Sequence, residues 1–370
     1  MNYHSIIFSK YLSDEAIAAI VSDEAFITKM LQFEKVLAKA QASLEIIPKR
    51  SADEINNVLS KIKIEPAELA EGTLQNGVPV LTILSLIKNH LPDESQKHLH
   101  FGATSQDVMD TAQVLIIRDA IAILEERVNA LIEALTQLSG KYGDTPCMAH
   151  TRGQQAMPIT FRVKINAWMQ PLQRQMKRIE EIKARILIVQ LGGAVGTLNV
   201  YGEKGKSLVD AIAGELNLQS SSSWHTQRDN FCEFTNWLAM LTGILGKMGA
   251  DILVMSQSEI NELVESTQGG GKSSAMPHKN NPVLSEALVA IANMNATLQM
   301  QQLQSLVHVN ERDATAWIPE WSAIPEMLIH TGTALNHALA IVIKMKVNTG
   351  NMKKNVEEFL KKSHPPLPSA

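Results

Sequence analysis

Apolar residues recur at alternating three- and four-residue intervals along four long stretches of this chain, and a bundle of long helices is the fold that accommodates them. The first stripe is Ile117, Ile121, Leu124, Val128, Leu131, Leu135 and Leu138. The second is Ile165, Trp168, Leu172, Gln175, Ile179, Ile182, Ile186 and Val189, with one polar interruption. Leu238, Leu241, Leu245, Met248, Ile252 and Met255 make the third, and Leu328, Thr331, Leu335, Ala338, Val342 and Met345 a weaker fourth. Such spacing turns one face of a helix toward its neighbours for many turns, as in bundles packed at about +20°. A fifth stretch, Val283–His308, is helical by composition but carries Asn293, Asn295, Gln299, Gln301, Gln302 and Gln304. That face suits polar packing or an oligomer interface better than a dry core.

The fold class read from this pattern is all-α. Aromatic residues are only 5%, and no succession of short alternating runs split by turn dipeptides offers a sheet. Residues 1–110 read as a small helical N-terminal domain, its shorter helices broken at Pro48, Pro66, Pro79 and Pro92. Residues 111–348 hold the long-helix bundle, and 349–370 read as a remnant of a further domain or a tail. With 370 residues, 45% hydrophobic and 19% charged, the chain has the composition of a soluble globular protein. A formal net charge of -4 without a local basic excess points away from nucleic acid. Cys147 and Cys232 are too few for a disulfide framework and suit a reducing cytoplasm. The N-terminus lacks the basic and apolar segments of an export signal. The most apolar run, Trp237–Met255, is interrupted by Lys247 and Asp251, so it reads as a buried helix and not a membrane span.

Between the helical stretches lies a segment of a different kind: Gly269-Gly270-Gly271-Lys272-Ser273-Ser274-Ala275-Met276-Pro277-His278-Lys279-Asn280-Asn281-Pro282. Glycines free the backbone and leave N–H groups able to face an anion, and two hydroxyls, two lysines and two amides follow. Such a run makes a poor core element and reads as a functional loop. Gly271-Lys272-Ser273 imitates the end of a nucleotide-binding P-loop, but that motif's first glycine would fall on Ser266, and helical periodicity precedes it where a strand is required.

Ser273 to Pro282 resembles the S-S-x-M-P-x-K-x-N-P signature of the fumarase/aspartase superfamily. Its surroundings, from about Phe8 to about Met352, are similar to the members that lactonise 3-carboxymuconate. The resemblance implies a long-helix bundle whose C-terminal domain is here largely absent. It also implies a homotetramer with each active site shared between subunits, a small tricarboxylate substrate and no cofactor or metal.

Three further regions are polar in an organised way. In His100-Phe101-Gly102-Ala103-Thr104-Ser105-Gln106-Asp107, the hydroxyls of Thr104 and Ser105 sit where a helix start can hold a carboxylate or merely be capped. The resemblance assigns this stretch, His100 included, to carboxylate binding. In His150-Thr151-Arg152-Gly153-Gln154-Gln155, fumarate-releasing relatives read R-T-H; Arg152 stands where that histidine would be. Lactonisation tolerates the change, because a carboxylate that attacks its own double bond is already ionised near neutral pH and needs no base. Thr151, Arg152 and Gln155 are thus candidate substrate contacts. In Trp224-His225-Thr226-Gln227-Arg228-Asp229, Arg228 is a candidate carboxylate grip, with a helix-entry salt bridge to Asp229 or Glu233 as the alternative, and Arg312 in Asn310-Glu311-Arg312-Asp313 offers a further cation. By family match, Lys279 and Asn281 stabilise the charge that develops, and Ser273, with Ser274 as its alternative, moves the proton. Glu286, which orients the histidine in relatives, is expected to pair with Arg152. The competing readings are a fumarate-releasing lyase of the adenylosuccinate type and a non-catalytic scaffold of the same fold.

Overall fold

The computed structural model describes residues 6–265, 271–272, 275–276 and 279–363. Seven helices come first: α1 (Ile6–Leu12), α2 (Glu15–Ile20), α3 (Asp23–Ser43), α4 (Lys49–Leu59), α5 (Pro66–Asn76), α6 (Val80–Lys88) and α7 (Asp93–Gln96). The prolines read as breaks turn out to be beginnings. Pro66 is the first residue of α5, and Pro48, Pro79 and Pro92 are the N-caps of α4, α6 and α7. A ring that fixes φ and lacks an N–H costs nothing where the helix has no acceptor to offer.

The long helices follow: α8 (Ser105–Tyr142), α9 (Phe161–Ile186), α10 (Gly205–Leu216), α11 (Asp229–Met255), α12 (Val283–Gln304), α13 (Ala314–Lys344) and α14 (Thr349–Ser363). Every residue of the four apolar stripes is buried, on α8, α9, α11 and α13 or just past their ends. Helix α11 packs against α9, α12 and α13, and α8 packs against α3, α9 and α13. By length and composition α11 could cross a membrane, but its stripe is occupied by these neighbours. Helix α8 begins at Ser105.

Helix α12 buries Leu288 and Ile291 in its first half and amides in its second. Asn295, Gln299 and Gln302 are buried, whereas Met300, Leu303 and Val307 are 58%, 51% and 74% exposed. The inward Asn295 finds partners: its Nδ2 donates to Thr331 Oγ1 at 3.1 Å, and its Oδ1 lies 3.0 Å from His330 Nδ1. Satisfied in this way, a buried amide carries little of its desolvation cost. Met300 and Leu303, near the end of the helix, are left on the outside.

The expectation of no sheet needs one qualification. Strands β1 (Pro146–Thr151) and β2 (Gln154–Thr160) form an antiparallel hairpin between α8 and α9. Its two-residue turn is Arg152-Gly153, with φ of 51° and 78°, the left-handed geometry that matches strand twist. The short strands β3 (Leu263–Val264) and β4 (Lys346–Val347) also pair. Helix α14 packs on β1. Its base is tied down by the side-chain amides of Asn351 and Asn355, which donate to the carbonyls of Asn261 and Ile260 at 2.8 and 3.1 Å.

Candidate active site

The start of α8 is a densely polar buried region. Thr104 caps the helix in an extended conformation, and Asp107 reaches back to accept its N–H at 2.9 Å. The same Asp107 carboxylate accepts from the backbones of Gly192 and Gly193 at 2.8 and 3.0 Å, and meets His225 Nε2 at 2.8 Å. A single buried carboxylate thereby locks the helix start, the 192–193 turn and the 223–225 loop together. From the other side Arg312 donates to Thr104 Oγ1 at 2.6 Å. Two candidate residues 208 positions apart in sequence thus meet, and a guanidinium stands beside a hydroxyl at a positive helix end. That is a sound arrangement for a carboxylate. Ser105 is the first residue of the helix. His100 holds a left-handed backbone, φ 59°, and its Nδ1 lies 2.5 Å from Glu34 Oε1.

Arg228 requires a correction. It does not offer its fork to a substrate, because both edges are already taken. It donates to both oxygens of Asp110 at 2.7 and 3.0 Å, and to both oxygens of Glu320 at 3.0 and 2.5 Å. The rings of Trp224 and Phe231 lie 4.9 and 4.7 Å from its guanidinium carbon, and the side chain is 1% exposed. Nor is it paired with Asp229 or Glu233; Glu233 bonds Arg185 instead. Burial disfavours the Arg228 charge, but Asp110 and Glu320 outweigh it and hold the guanidinium protonated. One cation between two carboxylates leaves the cluster one negative charge in excess. Burial dominates at Glu320 and, despite Arg228, pushes its carboxyl up to about 7.

The other candidates lie at the opposite end of the bundle. Helix α8 has 38 residues, so its end and the hairpin that follows stand about 57 Å from Thr104 at 1.5 Å per residue. Thr151, Arg152 and Gln155 are exposed on that hairpin. The signature loop precedes α12, whose 22 residues separate it by about 33 Å from the turn carrying Arg312. Glu265 closes the loop's base by capping α12: it accepts from the N–H groups of Leu284 and Ser285 at 2.9 and 2.7 Å, and from Ser285 Oγ at 2.7 Å. Tyr11 Oη on α1 adds a bond to the carbonyl of Val283 at 2.6 Å. Inside the loop, Asn281 N–H donates to Gly271 O at 2.8 Å, and Lys272 bridges Asn280. Gly271 has φ 68°, and a Cβ there would meet Asn281 O at 2.0 Å, so only glycine fits. Lys279 is exposed, and its N–H donates to Met276 O at 3.0 Å. Ser273 and Ser274 lie outside the described residues.

The expected Arg152–Glu286 pair is also corrected. Both residues are exposed, and among the described residues no ion pair joins them within the chain. The two-residue turn places Arg152 at the hairpin tip, and Glu286 sits in the first turn of α12.

A family model described as lyase matches residues 9–294. The chain belongs to this lyase family. It is similar to 3-carboxy-cis,cis-muconate cycloisomerase of Acinetobacter baylyi, 37% identical over 360 residues, 95% of this chain and 80% of the relative. The crystal structure of the 3-carboxy-cis,cis-muconate lactonizing enzyme of Pseudomonas putida superposes with a TM-score of 0.91 at 31% identity, covering 98% of this chain and 84% of that one. A fumarate lyase from Mesorhizobium sp. superposes with a TM-score of 0.87 at 33% identity, covering 94% and 78%.

In this lyase-family chain, sequence reasoning gave no separate role to the residues beneath the α8 start: Asp107, although inside a stretch it singled out, and Asp110, His225 and Glu320. A signal was available. Gln106, Asp107 and Asp110 are closely spaced polar positions where α8 enters the core, and ionised groups are placed there only against partners.

Proposed function

We propose that the chain is a cofactor-independent 3-carboxy-cis,cis-muconate cycloisomerase acting in the cytoplasm in protocatechuate breakdown. The observation that carries the reading is the likeness, over 95% of the chain, to a protein named for that reaction. One substrate carboxylate oxygen adds to a conjugated double bond and closes a γ-lactone. The displaced electron pair gathers on the carbon beside a second carboxylate, as an aci-carboxylate, and a proton then joins that carbon. Thr104, Ser105, His100 and Arg312 hold a carboxylate at the α8 start. Lys279 and Asn281 stabilise the aci-carboxylate, and Ser273 or Ser274 supplies the proton. Thr151, Arg152 and Gln155 close the site from the hairpin. No step calls for a redox carrier, since the addition is polar throughout.

The two ends of one bundle cannot meet, so we propose a homotetramer in which the α8 start of one subunit meets the loop and hairpin of others. The exposed Met300, Leu303 and Val307 on and just past α12 supply apolar surface for that association. Purified protein mixed with 3-carboxymuconate is expected to consume the conjugated diene absorbance and yield the lactone. A diene that persists overturns the reading. Release of fumarate from adenylosuccinate would assign the chain to the eliminating lyases instead.

A further inference from the structure

His100 sits in a turn that the rest of the fold holds rigid. The carbonyl of Phe101 accepts from Gln41 Nε2 at 2.7 Å and Tyr201 Oη at 2.8 Å. The ring is bonded through Nδ1 to Glu34, a residue of α3 whose side chain is 2% exposed. Its Nε2 makes no hydrogen bond among the described residues, and the side chain is 15% exposed. Glu34 Oε2 is buried and has no partner among the described residues. A carboxylate with one oxygen unsatisfied is a poor structural device, because its desolvation is not repaid by hydrogen bonds. It becomes favourable when its single partner is a cation.

We infer that Glu34 is a positioning residue: it fixes the His100 ring through Nδ1 and presents Nε2–H of an imidazolium to a substrate carboxylate beside Thr104 and Arg312. The inference rests on the proposed cycloisomerase reading and adds a cation to it. A trianionic substrate that also develops charge during the reaction draws on every cation at hand, and besides Lys279, Arg312 and Arg152 the site gains none from Arg228, which is occupied. Around the ring, burial and the Lys88 charge on α6 disfavour the imidazolium. Glu34 on α3 and Asp107 on α8 favour it and prevail, so the His100 pKa lies above its ordinary 6.5. The charged form, and with it the carboxylate contact, is complete below that ordinary value and is lost as pH rises through the raised one.

Glu34→Gln keeps the volume and one acceptor but removes the charge. It is expected to raise KM for 3-carboxymuconate ~10-fold with kcat nearly unchanged, as for a lost charge-assisted contact. The alkaline limb of kcat/KM is expected to move to lower pH. Leu37→Ala, one turn further along the buried face of α3, loosens the packing and should leave that limb in place. A second measurement does not depend on turnover. In the wild-type protein, imidazole NMR assigned with His100→Gln should show His100 titrating above 6.5, and propane-1,2,3-tricarboxylate should shift its Nε2 resonance. If the wild type fails to turn over the muconate, the cycloisomerase reading falls and the NMR alone decides the role of Glu34. Wild-type KM and pH limb in Glu34→Gln, or a His100 that titrates at or below 6.5, overturns the inference.

Discussion

Arg228 and Arg312 look alike in the sequence, each an arginine in a polar run before a long helix, and the fold gives them opposite work. Arg312 stands at the surface with its fork on Thr104, where a ligand can reach it. Arg228 is sealed between two carboxylates and two rings. It joins α8, the start of α11 and α13, and so holds in place the helix end on which Thr104 sits. Replacing it by methionine leaves Asp110 and Glu320 buried without their cation. Loss of one member of a buried pair costs about 3–5 kcal/mol, mostly as the penalty on the charge left behind. Arg228→Met is therefore expected to lose that much stability in urea denaturation, and a loss under about 1 kcal/mol would contradict this structural role.

At the scale of elements, the signature loop depends on a residue outside the signature. Glu265 ties the loop's beginning to its end by capping α12 with two backbone bonds and one hydroxyl bond. Glu265→Ala should cost about 1–2 kcal/mol, the scale of a lost cap. It should also depress kcat more than KM, since the proposed charge-stabilising Lys279 and Asn281 hang from the same base. Unchanged turnover would show that the loop keeps its shape without the cap. The helices themselves were legible because their stripes are long: the run of apolar positions from Ile117 to Leu138 leaves no other period open. The hairpin was not. Its exposed β2 has no apolar alternation to betray it, and only Arg152-Gly153 marks the turn. The polar face of α12 was seen, but not its direction. Composition cannot tell that Asn295 would face Thr331 while Leu303 faced out. The pairings of Arg228 with Glu320 and of Glu34 with His100 were invisible for a related reason, since they span 92 and 66 residues.

For the whole molecule, the decisive quantity is length. Thr104 and Arg312 lie at one end of the rod and the loop and hairpin at the other, so the site proposed above is one that a single chain cannot close. On that proposal, copies lend each other their ends. Ser273→Ala removes the proposed proton donor and should lower turnover at least ~10²-fold, and Arg312→Ala disables the carboxylate end. Each variant is expected to be inactive alone. Mixed, dissociated and reassembled, with subunit exchange verified by native mass spectrometry, they are expected to regain a measurable fraction of wild-type activity, because some sites then combine an intact loop with an intact α8 start. A mixture that stays as inactive as its parents, or a wild-type protein fully active as a monomer by light scattering, would contradict the shared site.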